Sequence, residues 1–472
     1  MPSGLPVPHP WSPGPSPPGL PVPLLLVSRS LPSWSPGPSP PGFPSPPMLL
    51  LNPPSPPEAV ANREGTASFG ALSPGFAYPP HTLATIVAVC RQDGREVAVV
   101  DAVGERLDIE TCRARVAAAQ PDIVAVYCSW GTLDTDRESV AALRAAFPDL
   151  PLVAIGASAR FGADELLVAG ASHVLLGDPE LTVAAIKTPL PTPGLLRVRD
   201  FLPEQHNHAG LLRKPEALPR PAWDVVPWAS YGFLSVFGAR GCDDGCKFCA
   251  YATVQGRSYR PRPAAEVADE MIWLERTFQP RRILVRDLVF GASRTRAMAI
   301  ARKLHAAGFH TPWECESRPE HFDGELLKEM AKAGCSVIKI GLETTDPDLL
   351  VKLDRVAAPS EAAHYLAYTR KMIADARRYG ITTRVWVMVG LPGQTLAHVR
   401  HTADFLHQAA PTFIHPRRYE RFPLVPAGDA QTPDQIADLL PALEVVAAER
   451  ASVARRRPSP FKRLQRRLRL AW

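Results

Sequence analysis

The sequence predicts an α/β protein in which a doubly wound parallel sheet is followed by a partial α/β barrel. Three observations carry that expectation. Short continuous apolar runs, MLLLN (48–52), DIVAVY (122–127) and PLVAI (151–155), recur with helical segments between them, as strands do when crossover helices cover both faces. A second alternating series begins at residue 233 and delivers six strand–helix units in one run, the succession from which barrels are built. Residues 187–230, between the two series, are rich in Pro, Leu and Arg and read as a linker.

The first 47 residues hold 18 of the 53 prolines and repeat the nonamer WSPGPSPPG at Trp11 and Trp34. Proline at that density removes backbone donors and enforces extended conformations, so this stretch is expected to be a disordered extension or an over-long start, with the fold beginning at Met48. A strand Met48–Asn52 leads into a long Gly/Pro-bearing loop ending at Tyr78–Pro80. A helix through HTLATIVAVCRQ follows, stopped at Gly94. Next come the strand Glu96–Ala102, a helix over Glu110–Ala119, the strand Asp122–Ser129, and a helix near Arg137–Phe147. The strand Pro151–Ser158, a helix over Ala163–Ala169 and the segment His173–Glu180 complete a first domain, 48–186. Ligands of such sheets bind at the carboxyl ends of the strands, where the loops carry Ser129, Gly131, Gly156, Ser158 and Gly177. There is no GxGxxG dinucleotide fingerprint.

The second domain, 231–420, has strands expected at Phe233–Arg240, Arg282–Asp287, Thr311–Ser317, Val337–Glu343, Thr383–Gly390 and Thr412–Pro416. Helices are expected over 264–278, 294–307, 323–333, 360–379 and 396–409. A helical region with a basic tail, 421–472, ends the chain. The formal net charge is +6, but the last 22 residues carry eight Arg or Lys and no acid, so the body is slightly acidic. That is a poor footprint for a nucleic-acid binder, and no nucleic-acid partner is expected. No run reaches the roughly 18 apolar residues of a membrane span. Cys90, Cys112, Cys128, Cys315 and Cys335 sit singly in element-like contexts, which is not a disulfide framework and suggests a reducing, cytoplasmic compartment.

The remaining three cysteines fall within eight positions in GCDDGCKFC: Cys242, Cys246 and Cys249. They leave the first barrel strand, hence lie at the mouth where barrel active sites form. Three thiolates at this spacing can hold three corners of a [4Fe–4S] cluster. A closed zinc site would need a fourth ligand, for which only His206 and His208 are at hand. An iron left without a protein ligand is a position for a reactant.

The stretch CDDGCKFC, with Phe248 before the third cysteine, resembles the CxxxCxφC signature of radical S-adenosylmethionine (SAM) enzymes. SYRPRPAAEVADEM, AGCSVIKIGLET and VMVGLPGQT resemble further family segments along roughly 231–420. The resemblance implies a partial (β/α)6, TIM-like barrel. In it Cys242, Cys246 and Cys249 ligate the cluster, and SAM chelates the open iron and yields a 5′-deoxyadenosyl radical on reduction. It implies that Phe248 lies along the adenine, that Glu343, Ser317 and Arg318 reach SAM, and that Gly390 and Pro392 wall the adenosine pocket. The family's Gly-Gly-Glu after strand two is replaced by Val285-Arg286-Asp287, with Asp287 as a shorter acceptor for the SAM amine. Residues 48–180 are similar to the Rossmann-like cobalamin-binding domain that precedes the barrel in one branch of the family, although a DxHxxG loop is missing and Ile155–Ser158 (IGAS) replaces Gly-Gly-Pro. Gly131, Gly156 and Ser158 would then let the corrin approach the backbone.

These resemblances imply a cobalamin-dependent radical methyltransferase acting on an unactivated carbon or phosphorus of a small molecule or lipid-like metabolite. A radical cyclase or oxidative rearrangement enzyme of the same architecture is the alternative. A methylthiotransferase would need Cys90, Cys112 and Cys128 as a second site, for which core packing is the better explanation, and a binding protein with a purely structural cluster would not need an adenosine pocket. An electron donor such as ferredoxin or flavodoxin is the expected partner. The tail FKRLQRRLRLAW reads either as a final docked helix or as a contact with anionic membrane surface.

Overall fold

A computed structural model of the protein describes residues 48–456 apart from 66–69, 74–75, 187–189, 191–192, 197–210, 423–424, 426–427, 433–434 and 436. The proline-rich start, His206, His208 and the basic tail lie outside the described residues.

Strands β1 (Met48–Asn52), β2 (Ala98–Asp101), β3 (Ile123–Tyr127), β4 (Leu152–Ile155), β5 (His173–Leu175) and β6 (Gly194–Leu196) form one sheet in the order β2-β1-β3-β4-β5-β6. Every pairing in it is parallel. The reversal of order at β1 is the topological switch of a doubly wound fold, so its ligand crevice lies at the carboxyl ends of β1 and β3. The apolar runs follow from burial on both faces. Leu49, Leu51, Val124, Val126 and Ala154 enter one core, while Leu50, Ile123, Ala125, Tyr127 and Val153 enter another on the opposite face. The sixth strand lies inside the segment read as linker; Gly-Leu-Leu is too short to show a period. The loop after β1 carries a small antiparallel hairpin, Val60–Asn62 with Ala71–Ser73, that sequence periodicity did not reveal.

The second sheet comprises β7 (Leu234–Val236), β8 (Ile283–Val285), β9 (Trp313–Ser317), β10 (Cys335–Glu343), β11 (Thr382–Val389) and β12 (Phe413–Arg418). All neighbours are parallel and follow chain order, β12-β11-β10-β9-β8-β7. Chain-order winding with a helix after each strand makes the partial barrel. The helices lie at Ala264–Phe278, Arg294–Ala306, Gly324–Lys332, Ala362–Arg378 and Leu396–Ala409, and a last one, Leu439–Arg456, packs on β12. Side chains capture the orphan N–H groups at their starts: Asp323 accepts from Leu326, and Thr395 forms a capping box with His398.

Strand β11 alternates between half-buried and buried along its length. Val385, Val387 and Val389 join the core under the helices, while Arg384, Trp386 and Met388 turn to the barrel interior.

Buried charges stitch the two sheets' domains together. Arg286, after β8, pairs with Glu64 of the β1 loop. Arg240, before the cysteine loop, pairs with Glu180 and lies 3.5 Å from Asp178, both after β5. His81 Nδ1 lies 3.2 Å from the Ser235 carbonyl, and the Tyr231 hydroxyl donates to Asp101 at 2.7 Å.

Candidate active site

The cysteine loop is shaped by close backbone approaches. Gly241 has φ +73°, and a Cβ there would meet the Ser258 carbonyl oxygen at 2.1 Å. Gly245 leaves room for Asp354, whose carboxylate oxygen lies 2.6 Å from where a Cβ would stand. Lys247 N donates to the Leu353 carbonyl at 3.1 Å, which fixes the loop to the turn after β10. Cys242 and Cys246 are buried and Cys249 is half-buried. Burial, with Asp244 close by, pushes the Cys242 thiol up to about 12; burial pushes Cys249 to about 11. Such thiols give up their protons only when a metal takes their place.

Among the described residues no three Cys, His, Asp or Glu side chains converge on one ion. A cluster held at three corners, by one thiolate each, does not ask for that. Arg355 supplies the supporting contact: Nη1 lies 3.8 Å from Cys246 Sγ, and Nη2 donates to the Gly341 carbonyl at 2.6 Å and to the Tyr365 hydroxyl at 2.9 Å. A buried guanidinium facing a ligand sulfur suits the negative charge of a thiolate-bound cluster.

Glu343, expected to reach SAM, ends β10 opposite Val387 of β11, just past a shift in register between Gly341 and Glu343. Its backbone is left-handed, φ +67°, and its carboxylate folds back so closely that a Cβ on Gly341 would lie 2.1 Å from Oε1. Burial pushes its carboxyl up to about 7 against the pull of Arg355 and Arg318. A strained acid held in this way is typical of functional sites. Arg318 links the same groups, 3.2 Å from Asp244 and donating to the Arg355 carbonyl at 2.8 Å. Ser317 is engaged with His321 Nδ1 at 2.8 Å and accepts from Gly291 N at 3.3 Å.

Phe248 packs beside Leu353, Leu391 and Tyr419, which brings it to the turn after β11. That turn is tied by Gln394, whose Oε1 accepts from Gly390 N at 2.8 Å and whose Nε2 donates to the Met388 carbonyl at 3.1 Å. Gly390 has φ +86°, and Pro392 lies against Gly428.

Asp287 corrects an expectation. It is fully buried, its Oδ1 accepts from Gly238 N at 2.6 Å and Ala239 N at 2.8 Å, and its Oδ2 lies 3.3 Å from Arg296. Oδ1 is committed to the backbone that launches the cysteine loop and Oδ2 to the Arg296 guanidinium, which gives Asp287 a positioning role in place of the amine acceptor that the resemblance implied.

In the first sheet, Gly156 has φ +135° and its Cβ would lie 2.0 Å from the Cys128 carbonyl oxygen. A Cβ on Gly131 would lie 2.2 Å from the Gly70 carbonyl oxygen. Ser158 Oγ accepts from Trp130 N at 3.0 Å. The chain's own loops thus use the smallness of these three residues, and bulk at Gly156 would distort the loop itself before it met any ligand. Cys112 and Cys128 lie in one core and Cys90 in the other, across the sheet, so they do not form a second cysteine site.

Arg355, Asp354, Gln394 and Arg296 escaped sequence reasoning. A lone arginine in a turn carries no pattern, and its partners lie 10 or more positions away.

Residues 236–406 match the model of the radical SAM superfamily. The barrel is a radical SAM domain, which implies a [4Fe–4S] cluster and SAM, and the chain is an enzyme. More particularly, the chain is 23% identical over 351 residues to an uncharacterized methyltransferase of Pyrococcus horikoshii, covering 70% of this chain and 73% of that one. It is 28% identical over 183 residues to the tryptophan 2-C-methyltransferase of Streptomyces laurentii, spanning 37% of this chain but only 30% of that relative. Its fold is shared with the radical SAM methyltransferase TsrM of Kitasatospora setae: TM-score 0.62, 20% identity, 81% of this chain and 77% of that one. No helix among the described residues is long and apolar enough to cross a membrane.

Proposed function

We propose that the protein is a cobalamin-dependent radical SAM methyltransferase acting on an unactivated carbon or phosphorus of a small molecule, with a reduced ferredoxin or flavodoxin as electron donor. One observation carries this reading. Trp130, Ala157 and Phe161, from the loops after β3 and β4, pack with Ala250, Tyr251 and Val254 of the helix leaving the cysteine loop, and with Phe422 and Val425 after β12. The carboxyl ends of the first sheet therefore face the mouth of the second, cofactor surface against cofactor surface. Half-buried aromatics around small residues suit a flat macrocycle. The Kitasatospora structure is described with cobalamin and a [4Fe–4S] cluster bound, which supports the same pair here.

In this reading Cys242, Cys246 and Cys249 hold the cluster, with Glu343, Arg318 and Ser317 around SAM and Phe248, Gly390 and Pro392 beside its adenosine. The bound cofactors supply a carbon-centred radical and a methyl group. The chain's own residues hold the two cofactor sites in register and screen them from water, through the packed aromatics and the buried ion pairs. Anaerobic reconstitution with hydroxocobalamin and methyl-deuterated SAM tests the proposal. About one corrinoid per chain and deuterated methyl in a product are expected. Failure to take up hydroxocobalamin at micromolar concentrations would rule the methyltransferase out and leave a cobalamin-free radical enzyme.

A further inference from the structure

The cluster ligands do not share one electrostatic setting. Cys242 Sγ lies 3.4 Å from a carboxylate oxygen of Asp244, and that carboxylate is matched by Arg318 at 3.2 Å. Cys246 faces a cation instead. Arg355 is buried, and its Nη1 lies 3.8 Å from Cys246 Sγ. Among the described residues it makes no ion pair with a carboxylate; Glu343 and Glu320 act on it from further away.

The fold builds this contact. Asp354 has a left-handed backbone, φ +60°, and closes a turn in which Arg355 N donates to the Leu350 carbonyl at 2.8 Å. Lys247 N on the Leu353 carbonyl ties the same turn to the cysteine loop. Nη2 donates to the Gly341 carbonyl and the Tyr365 hydroxyl, and that hydroxyl donates in turn to the Gly341 carbonyl at 3.2 Å. With Nη2 held on two acceptors, Nη1 is left to the sulfur. The pose leaves Nε buried without a hydrogen-bond partner among the described residues, a cost that attraction to a negatively charged cluster offsets.

An iron–sulfur cluster gains one negative charge when it takes up an electron. A cation in a dry setting and an N–H donor on a ligand sulfur therefore favour its reduced form over its oxidised form. We propose that Arg355 raises the reduction potential of the [4Fe–4S] cluster, through its charge and its N–H···S contact with Cys246, and that Tyr365 positions it for this. The redox step is the transfer of one electron from a one-electron donor to the cluster; no bond forms or breaks and no proton moves. The proposal rests on the reading of Cys242, Cys246 and Cys249 as cluster ligands.

The test uses the full chain, reconstituted anaerobically without SAM or corrinoid, so its outcome does not depend on methyl transfer. Reduced viologens set the potential near the wild-type midpoint, and electron paramagnetic resonance counts the reduced cluster against iron and sulfide content. Arg355→Met should lower the ratio of reduced to oxidised cluster about tenfold, which is ~59 mV for a one-electron couple. Arg355→Lys should keep most of the wild-type ratio, and Arg355→Gln, a donor without charge, should fall below Arg355→Lys. Tyr365→Phe should shift the ratio in the same direction as Arg355→Met, by less. Lys247→Met removes an exposed cation next to Cys246 in the chain, and should change the ratio less than about twofold because water screens it. A wild-type ratio in fully loaded Arg355→Met, or an equal fall in Lys247→Met, overturns the inference. If Arg355→Met assembles no cluster, a lower ratio in Arg355→Gln than in Arg355→Lys supports the inference and equal ratios overturn it. A wild-type protein that assembles no four-iron cluster overturns the ligand assignment itself, and this inference with it.

Discussion

The two six-stranded sheets share parallel pairing and apolar strand faces but use their interiors in opposite ways. In the first, Leu49 and Leu50 point to opposite sides and both are buried, so the sheet is filled on each face. In the second, Val385 and Val387 fill the outer face under the helices, while Arg384, Trp386 and Met388 on the inner face stay half-buried. A filled sheet has only its strand ends to offer a ligand. A sheet curled around a polar interior offers a chamber. The cysteines follow the same division: Cys90, Cys112 and Cys128 are core side chains, whereas Cys242, Cys246 and Cys249 sit on a loop at the chamber's mouth.

The largest effect expected from this contrast is all-or-none. Cys246→Ala should abolish the brown chromophore and SAM cleavage after anaerobic reconstitution, whereas Cys90→Ala should keep both. A chromophore of full intensity with SAM cleavage in Cys246→Ala would break the assignment.

Next comes the seam between the sheets. Glu180→Ala strands Arg240, which is 7% exposed along its side chain, beside Asp178 alone, and should cost about 3–5 kcal/mol in urea denaturation. Asp224→Ala removes a partner of Arg91 from a pair that is half in water, and should cost under about 1 kcal/mol. Comparable losses would show that the seam is less dry than the structure makes it.

A third effect is confined to one carboxyl and to a pH window. Glu343 titrates near 7 when folded and in the usual carboxylate range, 4.5, when unfolded. The folded state therefore binds the extra proton between those values. This group's contribution lowers stability as pH rises from about 4.5 to 7, by up to about 3 kcal/mol, and leaves it constant above. Glu343→Gln should flatten that slope in the cluster-free protein and raise its melting temperature at pH 8 more than at pH 5. An identical shift at both pH values would place the carboxylate in water.

Much of this was legible because burial writes itself into sequence. Continuous apolar runs gave away β1 and β3, the V-x-V-x-V alternation gave away β11, and the CxxxCxxC spacing gave away the cluster loop. What stayed hidden has no local period. The Val60–Asn62 hairpin owes its place to Gly70 and Gly131 meeting backbone to backbone, β6 is three residues long, and Arg355 is defined by contacts with Cys246 and Gly341 across the fold. Asp287 misled because a strand-end acid looks the same whether it faces a ligand or, as here, the N–H groups of Gly238 and Ala239.

The ion pairs at the seam set alignment more than strength, since charges hydrated in the separated domains gain little by pairing in a dry one. Only one relative placement lets Glu64 meet Arg286 while Asp178 and Glu180 meet Arg240, and a slip of one residue leaves unpaired charge in both places. The chain thus behaves like a keyed coupling. A chimera that borrows its first domain from a relative would assemble in register only if the graft brings carboxylates to those same three positions, however well its apolar surfaces match.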